Sequence, residues 1–270
     1  LGYEDEKFAY AVLAREPAPP AAARIIRQPQ IRSGHVNLVT CEPDGVHDRT
    51  ISRKQGDRYR EAKVALLEST RWGGRCPNVA CKPTKAYLVV AELVHDIHEL
   101  AGKLGIDVGP ARIDLARVKA RKDSIKKSQP KWVDDLEAAG FDTYEGEAEL
   151  VDTRTVRVGD QELTADRILI ATGSRTAVPP IEGIDEIDWI DHVSALELTE
   201  LPESMLVVGG GPVGLEFAQI FARFGSRVTI VQGADRLSPR SDAQAAAVLQ
   251  EVLEEEDGIA VVLSSYVQSV

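Results

Sequence analysis

The stretch Met205-Leu206-Val207-Val208-Gly209-Gly210-Gly211-Pro212-Val213-Gly214 constrains the fold most, because an apolar strand runs into a glycine turn that opens a helix. The pattern G-x-G-x-x-G is weak alone; between a strand and the helix over residues 215–223 it is strong. Gly209, Gly211 and Gly214 let the backbone close on a pyrophosphate, and the helix start offers N–H donors and a favourable dipole. The run Arg227-Val228-Thr229-Ile230-Val231 then completes a βαβ unit. Where an acidic side chain would accept hydrogen bonds from the ribose 2′-hydroxyl of NAD, this chain has Gln232. Glutamine does not repel a 2′-phosphate, and Arg236 or Arg240 can reach one, so NADPH is favoured over NADH. The competing reading of both arginines is a solvated surface.

A second constraint is Gly73-Gly74-Arg75-Cys76-Pro77-Asn78-Val79-Ala80-Cys81-Lys82-Pro83-Thr84-Lys85, which sets two thiols five residues apart beside a glycine pair. Five helical steps of roughly 100° carry the second thiol about 140° round the axis, so the sulfurs bond only if the helix starts in a distorted turn. A helix N-terminus there would stabilise a thiolate, the form that exchanges with disulfides. Two buried structural cysteines are the alternative, since free Cys is commonly a small core hydrophobe.

The chain has 270 residues, 43% of them apolar, which suffices for one large or two ordinary domains. A formal charge of −11 without a concentrated basic stripe argues against nucleic acid and anionic membrane surfaces, leaving small molecules as partners. No run approaches 18 apolar residues, and Leu1-Gly2-Tyr3-Glu4-Asp5-Glu6 lacks the character of a signal peptide, so a cytoplasmic location is expected. Three cysteines, with Cys41 isolated, do not make a secreted disulfide framework. His95 and His98 lie three apart on a helix, but without neighbouring ligands of clear spacing they read as an amphipathic face and no metal site is expected.

The cysteine element resembles that of the pyridine nucleotide-disulfide oxidoreductases, flavoproteins that include glutathione reductase, dihydrolipoamide dehydrogenase and mercuric reductase. Their element reads Gly-Gly-x-Cys-x-Asn-x-x-Cys-x-Pro-[Ser/Thr]-Lys, and every fixed position matches. Ile168-Leu169-Ile170-Ala171-Thr172-Gly173 is similar to the family strand that meets the flavin, and residues 207–217 to its nicotinamide-dinucleotide turn. The similarity spans residues 62–270, nearest to a mercuric-reductase-like branch. The resemblance implies an α/β fold: a Rossmann-like FAD-binding region with a small β-meander, then a second Rossmann-like NAD(P)-binding region. It implies FAD and NADPH or NADH as cofactors, a redox-active Cys76–Cys81 pair, and a thiol, disulfide or metal-ion substrate. In such an enzyme Cys81 faces the flavin, the more exposed Cys76 attacks the substrate, and Lys85 and Glu216 form an ion pair beside the flavin ring. Glu68 grips the flavin adenosine ribose, with Gly73, Gly74 and the Ala171-Thr172-Gly173 turn as further contacts. Pro212 stands where many relatives carry a tyrosine gate.

Departures are as informative. Residues 62–175 read as a partial FAD-binding domain and 176–270 as a truncated NAD(P)-binding domain. Residues 1–61, with a Pro/Ala tract and a polar run, are unassigned and expected to pack poorly. Only the scattered Gly34, Gly45 and Gly56 precede Glu68, so no pyrophosphate cradle for the flavin is legible and no parallel strand is expected beside Val64 to Leu67. The chain ends before the family's C-terminal dimerisation domain and its acid-base pair, so the family homodimer is not expected of this chain. A mercuric substrate is not expected either, since mercury-specific relatives use a C-terminal cysteine pair. A non-catalytic nucleotide-binding fragment, or one part of a split enzyme, is the rival reading.

Overall fold

The computed structural model describes residues 8–12, 36–42, 63–126, 128–165, 168–172 and 176–270, and side chains from Val64 onward. The strands are β1 (Phe8–Val12), β2 (Val36–Glu42), β3 (Lys63–Glu68), β4 (Phe141–Glu145), β5 (Ala148–Leu150), β6 (Thr155–Val158), β7 (Gln161–Thr164), β8 (Ile168–Thr172), β9 (Trp189–Ile190), β10 (Ser204–Val208), β11 (Arg227–Val231) and β12 (Ala260–Val262). The α-helices are α1 (Arg75–Asn78), α2 (Cys81–His95), α3 (Leu115–Ser124), α4 (Gln129–Ala138), α5 (Pro212–Phe224) and α6 (Ala243–Glu255). Contacts divide the chain into two units. One holds residues 1–19, 83–125 and 176–270, the other residues 20–82 and 126–175. This grouping differs from a linear split after residue 175, because Tyr87, Ala91 and Leu115 are buried in the same core as Phe217 and Phe221.

In the first unit a five-stranded sheet runs β12-β11-β10-β1-β9, all parallel. Strand β10 pairs with β11 in the register Val207↔Ile230, and α5 crosses between them, so the expected βαβ unit is present. Helix α5 buries Leu215, Phe217, Ala218, Ile220, Phe221 and Phe224, the stripe that a 3.6-residue period lays on one face. Each of the larger side chains contributes about 1.5–3 kcal/mol relative to exposure. Pro212 occupies the first turn of α5, where its missing N–H has no intrahelical partner to lose.

The second unit has a four-stranded parallel sheet, β4-β3-β2-β8, and an antiparallel meander, β5-β6-β7, with Gly159 and Asp160 between β6 and β7. One expectation changes here. Strand β2 pairs in parallel with β3, Asn37↔Val64 through Thr40↔Leu67, so residues 1–61 do supply a neighbour to Val64–Leu67. Residues 141–145 join that parallel sheet as β4, and the meander begins only at Ala148. Strand β8 lies at the sheet edge and leaves Leu169 and Ile170 exposed.

The turn after β9 carries a carboxylate whose titration sets an acid limit. Asp191 Oδ1 accepts from the backbone N–H groups of Val193 (2.9 Å) and Ser194 (2.9 Å), and Oδ2 from Thr176 Oγ1 (2.8 Å). Burial pushes the carboxyl up, but the Ser194 and Thr176 hydrogen bonds outweigh it and hold the pKa below the ordinary range. Glu197 behaves alike, with burial opposed and exceeded by hydrogen bonds from Lys122 and Lys119. A depressed folded pKa gives stability that is present above the unfolded value, about 3.9 for Asp. That stability is lost as pH falls through the folded value. We expect urea-unfolding stability to drop below about pH 4 and Asp191→Asn to flatten that limb; an unchanged acid limb in the variant would contradict this.

Candidate functional site

Strand β10 ends at Val208, and the next residues are fixed by backbone bonding. The Gly209 N–H donates to Val231 O (2.8 Å), while Gly210 O accepts from Ser238 N (2.8 Å). Gly211 has open space where a side chain would stand, which leaves the backbone at the helix start accessible. Gly214 is the opposite: a β-carbon there would run into the Gly209 carbonyl oxygen, so α5 packs against β10 only without one. The turn is therefore built to receive an anion at the N-terminus of a thirteen-residue helix.

Gln232 lies immediately beyond β11, as expected, and its side chain faces the turn. Its Oε1 accepts from Gly210 N (3.1 Å) and its Nε2 donates to Arg236 O (3.4 Å). Arg236 donates from Nη2 to Pro239 O (2.9 Å), stands 3.9 Å from Asp235, and keeps Nε buried with no hydrogen-bond partner.

Lys85 and Glu216, separated by 131 positions, form an ion pair between α2 and α5. Both remain partly exposed, so the pair adds about 0–1 kcal/mol to stability. Its interest is positional, since it ties the helix that begins at Cys81 to the helix opened by the glycine turn. His95, at the end of α2, stands 3.8 Å from Asp257, and His98 Nε2 accepts from Ala111 N (3.1 Å).

The cysteines lie in two successive helical pieces: Cys76 within the one-turn α1 and Cys81 as the first residue of α2. No disulfide joins them. Asn78, whose role the spacing did not reveal, is buried and donates to Trp72 O (2.9 Å) and Gly74 O (2.7 Å), pinning the loop that carries Cys76. Gln129 Nε2 supports it by donating to Asn78 Oδ1 (3.2 Å). Exposure reverses the expected order: Cys81 is exposed and Cys76 half-buried. Cys81 stands at the first position of its helix, whereas Cys76 sits in the turn that Asn78 holds closed. Iodoacetamide should therefore label Cys81 before Cys76, as read by peptide mass mapping; faster labelling of Cys76 would contradict the geometry.

The residues expected to hold a flavin fit less well. Glu68 is buried at the end of β3, but its Oε1 accepts from Thr70 N (2.8 Å), Thr70 Oγ1 (3.0 Å) and Arg71 N (3.1 Å), capping its own turn. Gly73 and Gly74 both take positive φ, and Trp132 fills the space over Gly73, with Cζ2 2.6 Å from where a β-carbon would stand. Ala171 and Thr172 pair with Cys41 and Glu42 of β2, and Gly173 lies outside the described residues. No anion cradle is formed among the described residues of this unit, and residues 43–62, which precede β3, lie outside them.

Residues 51–270 match the family model described as pyridine nucleotide-disulphide oxidoreductase. Residues 1–77 match a different model, that of the mitochondrial small ribosomal subunit Rsm22. A mercuric reductase of Staphylococcus aureus is 34% identical over 230 residues, covering 82% of this chain and 42% of that protein. A dihydrolipoyl dehydrogenase of Bacillus subtilis is 36% identical over 210 residues, covering 75% and 45%. Among solved structures, the HOCl-induced flavoprotein disulfide reductase RclA of Escherichia coli aligns with a TM-score of 0.69 at 29% identity, covering 87% of this chain and 50% of that one. The chain thus spans half or less of the length of these relatives. Members of the matched family use FAD and NAD(P)H. With its glycine turn, its cysteine helix and a match over residues 51–270, the chain belongs to the pyridine nucleotide-disulphide oxidoreductase family.

Proposed function

We propose that the chain is the nucleotide-binding and dithiol-bearing part of a flavin-dependent NAD(P)H oxidoreductase that reduces a disulfide or metal-ion substrate through Cys76 and Cys81. The observation that carries this is the Lys85–Glu216 pair, which joins the cysteine helix to the helix of the dinucleotide turn. NAD(P)H, when bound, supplies a hydride. The Gly209, Gly211 and Gly214 turn takes its pyrophosphate, Gln232 and Arg236 take the adenosine ribose end, and Pro212 leaves the nicotinamide side without a tyrosine gate.

For a disulfide substrate the thiol chemistry balances within the pair. One cysteine thiolate attacks a substrate sulfur and releases the first substrate thiol, leaving a mixed disulfide. The second cysteine then displaces the remaining substrate thiol and closes a Cys76–Cys81 disulfide. Two electrons pass to the substrate, and its sulfurs leave carrying the two protons the cysteines gave up. In the family, FAD stands between NAD(P)H and such a pair. Glu68 and the Ala171–Thr172 strand end would meet it, and no step through it is derived for this chain.

The test is a titration of the purified chain with NADPH and NADH, alongside retention of FAD on gel filtration and NADPH-driven reduction of a small aromatic disulfide. The expected result is nucleotide binding, FAD retention far below one per chain, and reductase activity near background. Binding of neither nucleotide overturns the reading. Stoichiometric FAD, with turnover lost in Cys81→Ser, overturns its flavin half.

A further inference from the structure

We propose that Tyr266 is the stacking platform for the adenine of the bound dinucleotide, an inference that rests on the nucleotide site proposed above. The ring is placed by close approach to a glycine. A β-carbon on Gly233 would run into Tyr266 Cε1 and lie 2.5 Å from Cζ and 2.7 Å from the hydroxyl oxygen, so the ring lies directly against the Gly233 backbone. Gly233 follows Gln232, the position that meets the adenosine ribose in a βαβ dinucleotide unit. The ring therefore stands beside the ribose end of the site.

The segment carrying it is laced to the same loop. Gln232 N donates to Val262 O (2.8 Å), Ser264 N to Ala234 O (2.9 Å), and Ser265 N to Gln232 O (3.1 Å). Ser264 adopts a positive φ of 49°, which turns the chain just before the tyrosine. Despite this fixed backbone, Tyr266 is 81% exposed, the highest value among the exposed large hydrophobic side chains. A rigidly based aromatic ring with an open surface, lying against the glycine that follows the ribose reader, has the chemistry that a purine base recognises: a flat apolar π-surface at contact distance.

The experiment compares NADPH, NADH and reduced nicotinamide mononucleotide, which lacks the adenosine half, on the full chain and on Tyr266→Ala and Tyr266→Phe. Loss of one stacked base weakens binding roughly tenfold. The expected result is that Tyr266→Ala weakens both dinucleotides by about this factor, leaves the mononucleotide unchanged, and that Tyr266→Phe restores binding. Dinucleotide affinity unchanged in Tyr266→Ala overturns the inference while leaving the nucleotide site standing. So does equal weakening of the mononucleotide, which would mean that the ring acts through the fold. Failure of the unmodified chain to bind any of the three overturns the nucleotide site itself.

Discussion

Gly214→Ala is expected to abolish nucleotide binding and to destabilise the first unit by about 3 kcal/mol, the upper range for overpacking. The new methyl would run into the Gly209 carbonyl oxygen and come within 3.3 Å of the Gly209 carbonyl carbon and Val207 Cγ1. None of these can yield cheaply. Gly209 is held by its bond to Val231 O (2.8 Å), and Val207 is fully buried in the sheet. The helix must therefore tilt away from β10, taking Leu215, Phe217 and Ala218 out of register with the core and moving the N–H groups that face the pyrophosphate. Gly211→Ala separates the two effects, because nothing lies within 4 Å of its added carbon. That variant should lose about 1 kcal/mol or less, the difference between glycine and alanine as a helix cap, yet bind NADPH poorly because the new carbon occupies the anion's approach. Thermal unfolding and NADPH titration measure both quantities; a Gly214→Ala protein that melts and binds like the unmodified chain would show that the turn is not packed in this way.

The glycine turn was legible because its chemistry is encoded by spacing: three glycines serve three separate needs of one strand, turn and helix. The Lys85–Glu216 pair was not legible in that sense. Its members are 131 positions apart and look like an ordinary lysine and an ordinary helical glutamate, so only the family resemblance joined them. The relative exposure of Cys76 and Cys81 depends on Asn78 and Gln129 closing a loop, and side-chain hydrogen bonds between distant segments leave no periodic trace. The strands β1 and β2 escaped notice for a different reason. Short apolar runs such as Phe8-Ala9-Tyr10-Ala11-Val12 cannot be told from a helix segment by period alone, and their partners begin at Ser204 and Lys63. Residues 1–77 match a second family model, which overlaps the oxidoreductase match over residues 51–77.

Asp257→Ala is expected to lower stability by about 3–5 kcal/mol, the range for breaking a buried ion pair at one partner. The Asp257 side chain is wholly buried and half-buried groups converge on it. Oδ1 accepts from Arg223 Nε (2.6 Å), Oδ2 accepts from Gln219 Nε2 (2.7 Å), and His95 Nδ1 stands 3.8 Å away. Gln219 and Arg223 are one turn apart on α5, and His95 is the last residue of α2, so a single carboxylate holds the C-terminal ends of the two helices whose other ends carry the glycine turn and Cys81. Removing it leaves a guanidinium in a site with little access to water, and the penalty is that of an uncompensated charge more than of a lost contact. Against a total stability of roughly 5–15 kcal/mol, this is a large share. Asp257→Asn, which keeps acceptor and shape but not charge, should cost about 2 kcal/mol, the upper range for a hydrogen bond to a charged group. Removing both partners in Asp257→Ala with Arg223→Met should recover part of the loss, since no orphan charge remains. Urea unfolding supplies all three values: strictly additive losses, or an Asp257→Ala protein within about 0.5 kcal/mol of the parent, would mean that the carboxylate is an incidental neighbour of Arg223 and not the clamp between the helices.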